Sequence, residues 1–250
     1  MKLKNNKRKR SNFDLVIINI NILISLIPDL FTALSRLGFK GFLLVSTGKL
    51  YNRFFDFKFG LDTKPYLDQV KVYKEGLRLD QTFNSSKYSD SSLLALRELF
   101  SSLNLNSENT LLDVGCGKGI VLMAASEFGL KKIKGFDHSH FLCEIAKNNC
   151  IKYQKVTRTN VPVEINCLSA ADFKFQDDED IIYFYNPFNE EVTESFVNSI
   201  QDSLNRKRRK ITIITHKWPA IKILKKRLKP TKEYSYSFWE KNFEIYHINF

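Results

Sequence analysis

At 250 residues and 43% apolar content, the chain is long enough for one α/β domain with an extension and needs no covalent staples to fold. Its four cysteines (Cys116, Cys143, Cys150 and Cys167) form no C-x-x-C pair and no zinc spacing; they read as reduced thiols, offer no metal site, and point to a cytoplasmic setting. The net charge of +12 sits in three blocks, with six Lys/Arg in residues 1–10, five in 206–210 and four in 225–229; elsewhere acids outnumber bases. Such blocks suit an anionic partner (a phospholipid surface, a phosphorylated substrate or nucleic acid), or are simply a solubilising tail and solvated loops.

Residues 1–12 read as a disordered basic tail. Leu15 to Ile27 is apolar but interrupted by Asn19, Asn21 and Ser25 and stopped by Pro28, short of the roughly 18 apolar residues a membrane span needs. A basic start before an apolar run imitates a signal peptide, but no small-x-small cleavage site follows. Residues 13–55 read as a helical extension, broken around Gly38 and Gly41, that packs on the following domain or lies at a membrane periphery with the basic tail on anionic lipid. Residues 56–90, with Gly60, Pro65 and Gly76, read as an irregular connector, completing a 13–90 extension ahead of a domain spanning 91–250.

From Ser91 the pattern becomes regular. Ser91 to Leu103 spaces its leucines and Phe100 as an amphipathic helix. A strand (Thr110–Val114) leads through a glycine turn into a helix (Ile120–Glu127). Next come a strand (Lys132–Phe136, ending in Asp137), a Ser139-capped helix (Phe141–Gln154) and a strand (Val163–Cys167). A fourth strand (Ile181–Tyr185), a helix (Glu190–Leu204), a fifth strand (Ile211–Thr215) and a helix (Pro219–Leu228) follow. Two aromatic-rich strands, near 233–238 and 243–250, close the chain as a hairpin-like edge. Alternation of strand and helix predicts a parallel sheet covered on both faces.

The most informative run is Asp113-Val114-Gly115-Cys116-Gly117-Lys118-Gly119. Glycine at every second position lets the backbone bend sharply and a ligand lie on it, and the helix behind offers free N–H groups to an anion. A dinucleotide fingerprint would need glycine at Ile120, and a P-loop would end in Gly-Lys-Ser/Thr, so neither applies. Asp-x-Gly-x-Gly-x-Gly instead resembles motif I of class I S-adenosylmethionine (SAM)-dependent methyltransferases. Asp137, at the tip of the second strand, suits a bidentate contact to a ribose.

The resemblance extends to Phe55-Asp56-Phe57-Lys58-Phe59-Gly60-Leu61-Asp62-Thr63 and to Tyr185-Asn186-Pro187-Phe188-Asn189-Glu190-Glu191-Val192. Together these stretches are similar to a bacterial group that resembles the seven-stranded (non-SET) protein lysine methyltransferases. The resemblance implies a Rossmann-like seven-stranded sheet with its last strand antiparallel, SAM as cofactor, and methyl transfer to an amine or hydroxyl. It implies that Gly115, Cys116, Gly117 and Gly119 hold the methionyl carboxylate, with Asp113 anchoring the turn or the cofactor amine. It further implies that Asp137 holds the ribose, His138 packs on adenine, Ser169 or the Ala170 backbone meets the adenine amino group, and Tyr88 closes over the methionyl end. Ile120, Ser169 and the absence of proline after Tyr88 depart from the group's usual Arg, Asp and Tyr-x-Pro. Asn186-Pro187-Phe188 resembles the Asn/Asp-Pro-Pro-aromatic motif that aims an acceptor amine at the methyl, with one proline fewer; Tyr185 before it is placed either to face the sulfonium or to join the core. A protein lysine, a nucleic-acid base served by the basic blocks, and a SAM-binding scaffold without turnover all remain open.

Overall fold

The computed structural model describes residues 43, 46–63, 91–185, 190–216, 221–238 and 241–249. Helix α1 covers 46–59. The domain follows as α2 (Leu93–Ser102), β1 (Thr110–Val114), α3 (Ile120–Ala125, continued by a 3-10 turn, Ser126–Phe128), β2 (Lys132–Asp137), α4 (His140–Thr157) and β3 (Val163–Cys167). It closes with β4 (Ile181–Tyr185), α5 (Glu190–Arg206), β5 (Ile211–His216), α6 (Ile221–Leu228), β6 (Lys232–Phe238) and β7 (Lys241–Ile248).

The strands form one seven-stranded sheet in the order β3-β2-β1-β4-β5-β7-β6. Only β7 runs against its neighbours, pairing antiparallel with both β5 and β6. The closing hairpin is thus not a bare edge: β7 is inserted beside β5, and β6 is the outer strand. From β1 the chain steps outward to β2 and β3, then returns to β4 on the other side of β1. That reversal opens a crevice at the strand C-termini between β1 and β4, where open α/β sheets take their ligands.

Alternate side chains of each strand go to opposite faces. Leu111, Ile133, Ile181, Tyr183 and Ile245 pack under α2, α3 and α4. Leu112, Val114, Ile182, Phe184 and Ile213 pack under α5 and α6. Helix α3 is buried on all sides, which explains why its six residues, Ile-Val-Leu-Met-Ala-Ala, contain nothing polar. Lys134, buried within β2, is neutralised by Asp178 and by Glu179 (Oε1 at 2.7 Å) on the helix-free connection between β3 and β4, and also donates to Gln176 (2.9 Å). A buried cation there is tolerable only because its donors are met.

The described part of the extension is docked. Helix α1 runs to residue 59, past the expected boundary at 55, and ends in a left-handed Gly60 (φ +66°) with Leu61 N–H donating to Asp56 O (2.9 Å). This is a Schellman end, the reason a glycine stands there. Asn52 fastens α1 to the start of α2, donating to Ser91 O (3.0 Å) and accepting from Leu93 N–H (3.2 Å). No helix among the described residues is long and apolar enough to cross a membrane.

Asp56 closes the turn after α1, accepting from Arg53 (2.8 Å) and from the Thr63 hydroxyl (2.7 Å). Burial pushes its carboxyl up to about 6, against the pull of Thr63 and Arg53. A folded-state value above the unfolded one stabilises fully below the unfolded pKa, and that contribution fades as pH rises through the folded one. The stability of wild type relative to Asp56→Asn should therefore fall between about pH 4 and pH 7, by at most about 3 kcal/mol. Parallel melting-temperature profiles for the two proteins over that range would contradict this.

Candidate active site

The turn after β1 is tied to β2 through its backbone. Gly115 and Cys116 N–H both donate to Phe136 O, at 3.0 and 2.9 Å, and Gly117 N–H donates to Asp137 Oδ2 at 3.0 Å. The other Asp137 oxygen accepts from Ser139 N–H (3.0 Å) and faces His138 Nδ1 (3.4 Å). Ser139 in turn caps α4 by accepting from Leu142 N–H. Asp137 is thus the hinge pin of the turn, besides being the carboxylate expected to meet a ribose; Oδ2, which accepts from Gly117 N–H, retains a lone pair for that contact.

Gly115, Gly117 and Gly119 all take positive φ (+75°, +51° and +82°), a region that L side chains rarely adopt. They differ in what surrounds them. A Cβ on Gly115 would meet nothing within 4 Å, whereas one on Gly119 would lie 3.2 Å from Ala146 Cβ and 3.4 Å from Cys150 Sγ on α4. Gly119 lets two elements approach closely; Gly115 leaves open space over the turn.

Asp113 is buried at the end of β1, beside Gly135 of β2 and Tyr183 of β4. Its Oδ2 has no hydrogen-bond partner. Burial, with Asp137 nearby, holds its carboxyl well above the usual carboxylate range. A buried oxygen left unmatched is costly, and an arriving cationic amine would satisfy it and favour its ionised form. An open glycine turn, an orphaned carboxylate oxygen beside it and a strand-tip carboxylate fit the amino acid and ribose parts of SAM.

The remaining expected residues gather less closely. Leu168 N–H donates to Asp137 O (3.0 Å), placing Ser169 and Ala170 next to Asp137 and His138. The Ser169 hydroxyl, however, is turned onto Asp172 (2.9 Å), so Ser169 could serve an adenine amino group only through its remaining acceptor capacity or the backbone. Tyr185, half-buried at the tip of β4, has its ring 4.8 Å from that of His216, with the Lys241 ammonium 5.8 Å from its centroid. Tyr88, Asn186 and Phe188 lie outside the described residues.

Sequence reasoning passed over three residues that shape this site. Gly135 is the floor beneath the turn: a Cβ there would lie 3.0 Å from Cys116 Cβ and from both Leu122 methyls. An isolated glycine inside a strand signals such an approach. Lys118 and Asn149 are both buried. Asn149 occupies the apolar stripe of α4 with Leu142, Ala146 and Tyr153, where a lone carboxamide marks a buried polar junction.

A glycine turn pinned to a carboxylate-tipped neighbouring strand, in a sheet of this order, defines a class I SAM-dependent methyltransferase. The chain belongs to the ribosomal protein L11 methyltransferase (PrmA) family, whose model matches residues 90–221, more than half of it. No curated protein matches the chain. Among solved structures it is similar to an RNA methyltransferase from Salinibacter ruber in complex with S-adenosyl-L-homocysteine (13% identity, 64% of this chain and 94% of that one, TM-score 0.48). It is also similar to a SAM-dependent O-methyltransferase from Thermotoga maritima (11% identity, 64% and 66%, TM-score 0.49). A third likeness is to a protein described as an N6-adenine-specific DNA methylase from Listeria monocytogenes, of which the chain spans 55% (16% identity, 70% of this chain, TM-score 0.48). The assignment rests on the family model, not on these likenesses.

Gly135→Ala should destabilise the protein by about 1–3 kcal/mol, because Cys116 and Leu122 must give way. Urea unfolding measures this, and a variant as stable as wild type would refute the packing account.

Proposed function

We propose that the chain holds SAM across Gly115–Gly119, Asp113 and Asp137 and transfers its methyl group to an amine of a protein acceptor. When bound, the cofactor supplies an already activated methyl on a sulfonium, so the protein's task is to position the acceptor nitrogen and exclude water. In this reading Asp137 takes the ribose hydroxyls while keeping the turn in shape, and Asp113 takes the cofactor amine. Asn186, directly after β4, accepts hydrogens from the target amine so that its lone pair faces the methyl. Phe188 covers the acceptor and Tyr185 walls the site.

The observation that favours protein over nucleic acid is where the cations lie. Block 206–210 precedes the first residue of β5, at the sheet edge opposite the strand tips, about 17–20 Å away for strands of five to six residues. Arg206 is paired with Asp177 (2.7 Å), Arg209 lies 3.8 Å from Glu179, and in the other block Lys225 and Arg227 are paired with Glu233 (2.7 Å) and Glu194 (2.8 Å). A polyanionic acceptor reaching the crevice would find block 206–210 distant, and four of the nine cations of the two blocks already facing carboxylates. The family's description, which names a ribosomal protein, is consistent with a protein acceptor.

Incubating the purified chain and a cell extract with isotopic SAM, then separating protein, lipid, glycan and nucleic acid, should place the label in protein; label in nucleic acid would overturn the acceptor class. Asp137→Ala should weaken SAM binding about 100-fold by calorimetry, through loss of charge-assisted hydrogen bonds. Near-normal affinity would remove Asp137 from the site. Asn186→Ala should bind SAM almost normally yet methylate poorly, and an equal loss of both would make Asn186 a cofactor or fold residue.

A further inference from the structure

The glycine turn is held from a second side, by a residue the methyl-transfer chemistry does not use. Asn149 lies in the middle of α4 and is 2% exposed. Its Nδ2 donates to Lys118 O within the turn and to Asp62 O after α1, both at 2.9 Å, and its Oδ1 accepts from Asp62 N–H at 3.1 Å. Lys118 is gripped at its other end too, with Nζ 3.0 Å from the Asp62 carboxylate. The contact of Gly119 with Ala146 and Cys150 brings α4 close enough for the Asn149 carboxamide to reach. The Asp56–Thr63 bonds and the left-handed Gly60 shape the segment that Asn149 captures.

We infer that Asn149 is a positioning residue for the cofactor: it couples the extension to the glycine turn, so the turn keeps its cofactor-accepting shape only while residues 60–63 are docked. This rests on the assignment of the turn as the SAM cradle. The chemistry is particular to asparagine, because the site demands two donors and one acceptor in one plane. Aspartate would present acceptors to two carbonyls, and leucine would leave three backbone groups unmatched in a buried place. Without the clamp, the Lys118 peptide is flanked by two glycines, the residues that restrain a backbone least. Coupling of this kind is reciprocal, so cofactor binding must also steady residues 60–63.

The test uses the full chain and three readouts: calorimetric SAM titration, thermal melting, and amide hydrogen exchange with and without SAM. At a temperature well below its melting point, Asn149→Asp should bind SAM at least about tenfold more weakly and exchange faster over 115–119. Glu144→Ala, on the same helix, loses only an exposed ion pair to Lys147 and leaves the Asn149 bridge intact, so its affinity should change by about threefold or less. In wild type, SAM should slow exchange at 60–63 as well as at 115–119. Asn149→Asp that melts earlier but binds SAM normally would make the residue merely structural and overturn the inference. If that variant does not fold, wild type decides: protection at 115–119 without protection at 60–63 refutes the coupling. No protection at 115–119 in wild type would instead remove the cradle assignment itself.

Discussion

Two hydrogen bonds to one backbone carbonyl and a third to a carboxylate fix the glycine turn to the sheet, and the proposed cofactor site is built on that turn. Phe136 O receives Gly115 and Cys116 N–H, and Asp137 receives Gly117 N–H. Both acceptors belong to the last two residues of β2, so the position of the turn follows from the β1–β2 register, which sets Val114 opposite Phe136. An alternating glycine loop has little conformational preference of its own. It becomes a preorganised surface because a neighbouring strand supplies fixed acceptors, and preorganisation is what lets a site bind without spending free energy on ordering itself.

The requirement propagates outward. For the turn to lie flat on β2, residue 135 must lack a side chain; for α4 to press on the turn, residue 119 must as well. Helix α3, compressed between α2, α4 and the sheet, must be apolar on every side. The polar groups that remain are then met from sequence-distant places: Asn52 with the start of α2, Asn149 with both the turn and the extension, Lys134 with the helix-free connection. Among the buried side-chain oxygens left without a hydrogen bond, which include Thr110 Oγ1 and Tyr183 OH, Oδ2 of Asp113 lies beside the crevice. In the proposed site, the cofactor amine is the group that completes its pairing.

Charge and chemistry are segregated along the strand direction. The strand C-termini carry the carboxylates Asp113 and Asp137 and the aromatic pair Tyr185 and His216, while the basic run 206–210 lies at the strand N-termini. Among the described residues, the basic run 206–210 thus stands at the end of the sheet away from these carboxylates, and overall charge is a poor guide to the acceptor in a sheet whose two ends differ this much.

The alternation of strands and helices, the glycine turn, the strand-tip carboxylate and the Ser139 cap were legible in the chain itself, because each is a local pattern: side-chain periodicity, glycine spacing, a capping hydroxyl before a helix. Val163–Cys167 and Ile181–Tyr185 keep the bounds their composition implied. Other features depend on which strand lies beside which. The insertion of β7 between β5 and β6, the double duty of Asp137 as turn anchor, the engagement of Ser169 by Asp172, the far-edge placement of the basic run and the bridge made by Asn149 all join residues whose separation in the chain carries no signal. Local order is written in nearest-neighbour sterics and periodicity. Long-range pairing is settled only when the two faces of the sheet are buried and every enclosed polar group must find a partner.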